Sequence, residues 1–214
     1  MKINEIFCSL SGEARLAGYR SIFIRTFSCN LRCSYCDSMY AVEGNDFVNM
    51  TVDEILEKIK PYECRHVVFT GGEPLLQQDA IDLIKALSEN GYSVEIETNG
   101  AVDVKPVKDL MLDNVTITMD WKCPTSGMLD KMIEDNLNEL DYEDVVKCVV
   151  GSKKDLEEAR RINGLTFASV YLSPVFGKIE LKEIADFILD NKLNDIRMQI
   201  QLHKLCWPAD MRGV

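Results

Sequence analysis

The chain has 214 residues, 46 % hydrophobic and 28 % charged, enough apolar material for one globular domain over 1–214 and little else. Its formal net charge of −11, with no Lys/Arg run, argues against a nucleic-acid partner. No apolar run reaches the roughly 18 residues that span a bilayer, and Met1–Glu5 lacks the layout of a signal peptide, so the expectation is a cytoplasmic protein with no membrane partner.

The first predicted strand is Tyr19–Phe27, rich in β-branched and aromatic residues. Thr51-Val52-Asp53-Glu54 is a capping box that opens a helix to about Lys60. His66–Phe69 predicts a short buried strand. Gln77–Asn90 predicts a helix, with Ile81, Ile84 and Leu87 at helical spacing and Gly91 as its stop. Tyr92–Glu97 predicts a strand of alternating character, Val107–Leu112 a short helix, Val115–Trp121 a strand and Met128–Leu140 a helix. Asp144–Val150 follows as a strand, Ser152–Asn163 as a serine-capped helix, then strand Phe167–Leu172, helix Leu181–Asn191 and strand Ile196–Gln201.

Such alternation implies an α/β fold, a parallel sheet with crossover helices. A full eight-fold barrel takes about 250 residues, so this chain predicts an incomplete (β/α) barrel. Working residues of such folds lie in loops after the C-terminal ends of the strands. Cys29–Asp37, Thr70–Pro74, Thr98–Gly100, Lys122–Gly127, Ser173–Gly177 and His203–Trp207 each follow a predicted strand and should converge on one rim.

Eight cysteines in a reducing compartment are not a disulfide framework. Three of them, Cys29-x3-Cys33-x2-Cys36, form the strongest signal in the chain. Soft thiolates on one loop suit iron–sulfur or zinc. A closed zinc site takes four ligands, and a [4Fe–4S] cluster held by three leaves one iron open to a substrate. A zinc site completed by His66, His203 or a distant cysteine is the competing reading. Cys8, Cys64, Cys123, Cys148 and Cys206 show no paired spacing and read as small apolar residues.

The CxxxCxxC loop resembles the signature of the radical S-adenosylmethionine superfamily. Gly71-Gly72-Glu73-Pro74 is similar to that superfamily's GGEP element, whose glycines let the backbone approach and accept hydrogen bonds from the methionine ammonium. Glu97-Thr98-Asn99-Gly100 is similar to segments that hold the amino-acid end or the ribose, and Lys122 suits the cofactor carboxylate or a substrate anion. Within the superfamily, Glu5 through Glu13, Gly18, Ile22–Arg25, Asp120–Pro124, Gln201–Lys204 and the tail from Trp207 to Val214 resemble the 7-carboxy-7-deazaguanine synthase family.

The resemblance implies a homodimeric partial barrel that takes 6-carboxy-5,6,7,8-tetrahydropterin to 7-carboxy-7-deazaguanine and ammonia in deazapurine (queuosine-type) biosynthesis. Adenosylmethionine would act catalytically beside the [4Fe–4S] cluster, with Mg2+ and a flavodoxin- or ferredoxin-type electron donor. It implies cofactor contacts at Tyr35, Cys36, Asp37, Gly72, Glu73, Thr98, Asn99 and Lys122, and adenine and ribose contacts at Ser173, Pro174, Val175 and Phe176. Ser38 stands where the family often has a magnesium-binding threonine, and keeps the hydroxyl. Substrate contacts are implied at Leu10, Ser11, Gly12, Glu13, Arg25, Thr70, His203 and Val214. Ser11 departs from the glutamine common there. Glu13 is an acceptor for the pterin's guanidine-like edge, and Arg25 a bidentate partner for its carboxylate. A glycyl-radical activating enzyme shares the cysteine loop, but the Glu13, Arg25 and His203 set favours a small polar anion. A non-enzymatic iron–sulfur or zinc protein is the other rival.

Overall fold

The computed structural model describes residues 1–208 and 211–214. In chain order the elements are β1 (Lys2–Leu10), β2 (Arg20–Thr26), β3 (Val48–Asn49), α1 (Val52–Ile59), β4 (His66–Gly71), α2 (Ala80–Glu89), β5 (Ser93–Thr98) and α3 (Lys105–Lys108). There follow β6 (Val115–Trp121), α4 (Asn136–Glu139), β7 (Val145–Val150), α5 (Lys153–Asn163), β8 (Ser169–Pro174), α6 (Leu181–Asp190), β9 (Ile196–Met198) and α7 (His203–Cys206). Among the described residues the strands form one nine-stranded sheet, ordered β3-β1-β2-β4-β5-β6-β7-β8-β9. From β2 through β9 every pairing is parallel, whereas β1 runs antiparallel to β2 and β3. No strand pairing joins the two edges among the described residues, so the barrel is incomplete, as expected.

Local signals set the helices. Glu54 N donates to Thr51 Oγ1 at 3.2 Å while Thr51 N donates to a Glu54 carboxylate oxygen at 2.7 Å, closing the capping box of α1. Ser152 caps α5, and the buried Asp155 of that helix takes hydrogen bonds from Thr125 N and Gly151 N, both at 2.8 Å. That carboxylate ties the loop after β6 to the end of β7.

The sheet has two unlike faces. Ile22, Ile24, Val67, Phe69, Ile96 and Met119 point to the helices and pack with Ile55, Ile59, Leu83, Ile84 and Leu87. Each such side chain contributes about 1.5–3 kcal/mol of burial. Alternate residues, which a strand turns the other way, are Arg25, Thr70, Glu95, Thr118, Asp120 and Lys147, and they line the lumen.

Two expectations need correction. Met128–Leu140 is not one helix: it holds a turn at Leu129–Lys131 and the four-residue α4. Its apolar residues recur at helical spacing, but Asn136 is a strut. Its side chain bonds Val104 N at 3.2 Å, Gly100 O at 3.2 Å and Val102 O at 2.8 Å, in competition with regular backbone pairing. Likewise the helix expected at Val107–Leu112 begins at Lys105, with Pro106 in its first turn, and ends at Lys108. Strand β1 lacked a sequence signal because a register shift between Ile3 and Glu5 breaks its two-residue alternation.

The segment 11–19 between β1 and β2 folds across the open side of the barrel. Ala14 N donates to Gln199 Oε1 at 2.8 Å, Arg15 donates to Glu143 O at 2.7 Å, and Leu202 N donates to Gly12 O at 3.0 Å. A Cβ on Gly12 would stand 2.1 Å from His203 Nδ1, so only glycine admits this approach.

Candidate active site

The six post-strand segments meet on one rim. Gly72 N donates to Thr26 O at 3.2 Å and Glu73 N to Ser28 O at 2.9 Å, which lays the Gly71–Pro74 turn against the cysteine loop. An added Cβ on Gly72 would sit 2.2 Å from Ser28 O and 3.1 Å from Cys29 Cβ. Asn99 Nδ2 reaches Cys29 Sγ at 3.4 Å and Asn30 Oδ1 at 2.8 Å. Ser34 N donates to Ser126 O at 3.0 Å, and Tyr35 OH to Val149 O at 3.4 Å. Lys204 pairs with Asp37 at 2.9 Å and lies 5.9 Å from the Phe176 ring centroid.

Cys29, Cys33 and Cys36 are free, half-buried thiols. Burial pushes the Cys33 and Cys36 thiols up, Lys122 draws both down, and both feel Cys29. Among the described residues no three His, Cys, Asp or Glu side chains converge on a position for one metal ion. Leu31 N and Asn99 Nδ2 both donate to Cys29 Sγ at 3.4 Å, the hydrogen bonding that suits a cluster thiolate. The donor set therefore fits a three-thiolate [4Fe–4S] cluster.

Glu73 is fully buried. Its carboxylate accepts from Leu75 N at 3.0 Å, Thr98 Oγ1 at 2.9 Å and Asn99 N at 2.6 Å. Burial, opposed by those donors, lifts its pKa to about 7. It locks the turn to the end of β5. Ser173 is held in a comparable way. It is fully buried, donates to Glu13 Oε1 at 3.1 Å and accepts from Gln199 Nε2 at 2.7 Å, so its hydroxyl faces the lumen. Pro174 ends β8, and Val175 is buried while Phe176 is exposed.

Charges are paired inside the lumen. Glu13 Oε2 lies 3.0 Å from Lys147 Nζ, which is 3.6 Å from Asp120, itself 3.0 Å from Lys122. Burial disfavours the charges of Lys147, Asp120 and Lys122. For Lys147 the carboxylates of Asp120, Glu13 and Glu97 outweigh it and hold the ammonium charged; for Asp120, Lys122 and Lys147 do the same in the opposite sense. Lys122 is likewise held charged by Asp120 and Cys33. Arg25 pairs with Glu5 at 2.7 Å, and Tyr40 OH donates to the same Glu5 oxygen at 3.1 Å. Burial disfavours the guanidinium, but Tyr40 and Glu5 keep it charged. Thr70 Oγ1, next to Arg25 in register, donates to Glu97 at 2.8 Å.

Of the remaining expected residues, Leu10 is exposed and Ser11 is buried with its hydroxyl on Glu13 O at 3.3 Å. Ser38 Oγ donates to Asp37 at 3.1 Å, which puts two hard oxygen donors side by side. Burial holds the His203 imidazole below its usual pKa, with Glu13 and Asp37 opposing. Arg212 stacks 3.9 Å from the Tyr40 ring centroid and reaches Asp46 at 3.2 Å, and Val214 is half-buried. The sequence assigned no site role to Lys147, Glu95 or Gln199, and Glu5 and Asp120 stood out only as parts of matching blocks. Their signal was a charged or amide side chain at the inward parity of a buried strand, or just beyond its end.

Comparison with known proteins agrees with this geometry. The Radical SAM superfamily profile matches residues 23–149. The 7-carboxy-7-deazaguanine synthase of Clostridium acetobutylicum is 43 % identical over 219 residues, covering 100 % of this chain and 99 % of that protein. That of Methanospirillum hungatei is 42 % identical over 207 residues, covering 95 % and 84 %. The crystal structure of QueE from Escherichia coli superposes with a TM-score of 0.76 at 23 % identity, covering 94 % of each chain. This chain is therefore a radical S-adenosylmethionine enzyme and belongs to the family of 7-carboxy-7-deazaguanine synthases.

Proposed function

We propose that the chain converts 6-carboxy-5,6,7,8-tetrahydropterin to 7-carboxy-7-deazaguanine with release of ammonia, in deazapurine (queuosine-type) biosynthesis. The observation that carries this reading is the buried charge set beside the cysteine loop, with Arg25 on one wall and Glu13 on the other. A small planar anion with a donor-rich edge fits between a guanidinium and a carboxylate. Cys29, Cys33 and Cys36 hold the cluster. When bound, the cluster and adenosylmethionine supply the hydrogen-abstracting carbon radical.

This chain's own residues bind and orient. Backbone at Gly72 and side chains at Tyr35, Asp37, Asn99 and Lys122 receive adenosylmethionine, Lys122 facing its carboxylate. Glu73 and Thr98 position that cradle. Pro174, Val175 and Phe176 flank the adenosine. Arg25 grips the pterin carboxylate, Glu13 accepts from its guanidine-like edge, and Leu10, Gly12, Thr70, His203 and Val214 complete the pocket. Ser38, beside Asp37, supplies a hydroxyl to Mg2+, which keeps waters and borrows substrate oxygens. The enzyme works in the cytoplasm as a homodimer of single-domain chains, reduced by a flavodoxin- or ferredoxin-type donor. Among the described residues no helix is long and apolar enough to cross a membrane.

The test is anaerobic reconstitution with iron and sulfide, then adenosylmethionine, reductant, Mg2+ and the carboxytetrahydropterin. Ultraviolet absorption of the deazaguanine, with ammonia in equal amount, is the expected result. Cleavage of adenosylmethionine beside untouched pterin would refute the substrate.

A further inference from the structure

One buried acid has no place in that scheme. Glu95 lies on β5 between Val94 and Ile96, which face the helices, so its own side chain enters the lumen, where it is 2 % exposed. One carboxylate oxygen accepts from Thr118 Oγ1, and the other, Oε2, is buried with no hydrogen-bond partner. Two residues along the same face, Glu97 is half-buried and accepts from Thr70.

Groups that bear on the pair come from every neighbouring strand: Thr70 on β4, Arg25 on β2, Thr118 and Asp120 on β6, Lys147 on β7, and Glu13 from the segment across the open side. The two cations are taken, Lys147 by Glu13 at 3.0 Å and Arg25 by Glu5 at 2.7 Å. Among the described residues neither Glu95 nor Glu97 has a cationic nitrogen within ion-pair distance. A structural role here would be met by glutamine, which also offers Thr118 an acceptor and is never charged. Two close carboxyls in a low-dielectric space do not both ionise.

We propose that Glu95 is the proton reserve of the lumen, holding a proton beneath Glu97 and passing it through Glu97 to the nitrogen that leaves as ammonia. This rests on the reaction read above. Substrate differs from product plus ammonia by no atom. The carbon–nitrogen bond breaks with its pair going to nitrogen, and nitrogen takes the carboxyl's proton. A ring carbon then gives up its proton as the carbon–carbon double bond forms, and the pair recovers it. No oxidant or reductant is consumed in these steps. Glu95 is thus a positioning and storage residue, and Glu97 the group that meets substrate. The raised pKa agrees: burial first, then the charge of Glu97, lifts Glu95 to about 8, so it is mostly neutral at neutral pH.

The test compares wild-type and Glu95→Gln holoenzyme. In infrared spectra at neutral pH the wild type should show a protonated-carboxyl band that Glu95→Gln lacks and that fades as pH rises past about 8. In turnover, transfer of deuterium from labelled pterin to 5′-deoxyadenosine should be unchanged and the KM for pterin unchanged. Ammonia release should fall about 100-fold, within the range of general acid catalysis, and a ring-contracted species with the substrate's mass should accumulate. Glu95→Asp should recover part of the rate. Absence of the band, or ammonia release by Glu95→Gln at the wild-type rate, overturns the proposal while leaving the substrate assignment intact. Wild-type enzyme that leaves pterin untouched overturns both. Should Glu95→Gln not fold, Thr118→Val keeps the carboxyl and should shift both the band and the alkaline limb of kcat; if neither moves, the proposal is wrong.

Discussion

The two faces of the sheet are made by the same strands and obey opposite rules. On the helix side of β4, β5 and β6 stand Phe69, Ile96 and Met119, all fully buried and apolar. On the lumen side stand Thr70, Glu95, Glu97 and Asp120, and on β7 Lys147 is buried between the carboxylates of Glu13 and Asp120. Apolar burial is favourable without partners, so the helix face is tolerant of sequence and holds the fold together. Buried charge is costly unless each group has a partner, so the lumen face trades stability for a polar pocket. Substitutions on the two faces should therefore separate folding from chemistry.

The largest effect is expected at Lys147. Lys147→Met should cost about 3–5 kcal/mol of unfolding free energy, because Glu13 loses its cationic partner in the lumen while Asp120 keeps only Lys122. Adding Glu13→Gln should restore much of that stability in urea titrations while turnover stays abolished. Recovery of activity with stability would blur the division. On the helix side, Phe69→Ala should lose a similar amount, about 3–5 kcal/mol, as a core cavity. Cluster-loaded Phe69→Ala should nevertheless keep the wild-type KM for pterin below its melting temperature. A smaller effect concerns pH. Glu95 is raised from 4.5 to about 8 in the fold, so between these values the native state binds more protons than the unfolded one. Its stabilising contribution is complete below about 4.5 and is lost as pH rises through about 8. The urea midpoint of wild type should decline across that window, and that of Glu95→Gln should decline less.

The same contrast explains what was legible in the chain. Apolar positions such as Ile22, Ile24, Ile81, Ile84 and Leu87 repeat with the period of their element, and the capping box at Thr51 names its helix, so the alternation of strands and helices is readable. The cysteine loop and Gly71–Pro74 are local in sequence and equally readable. Partnerships are not. Glu13 and Lys147 are 134 residues apart, Ser173 and Gln199 are 26 apart, and nothing in either neighbourhood names the other. Ser173 stands in a loop that resembles an adenosine contact, yet topology turns its hydroxyl to Glu13. Glu73 is recognisable in its motif, but its hydrogen bonds to Thr98 and Asn99, which bolt two loops together, are not. Met128–Leu140 misleads for the converse reason, since helical spacing cannot reveal that Asn136 holds another loop.

Calorimetry of the reconstituted enzyme on Arg25→Ala tests the division most directly, because Arg25 projects into the lumen from a strand whose neighbours Ile22 and Ile24 serve the core. A lost charge-assisted hydrogen bond of about 1.5–3 kcal/mol should weaken binding of the carboxytetrahydropterin about 10- to 100-fold and leave adenosylmethionine affinity nearly unchanged, while the melting temperature falls because Glu5 loses its 2.7 Å partner. Equal losses of both affinities, or a collapse of the melting temperature without a change in pterin binding, would contradict it.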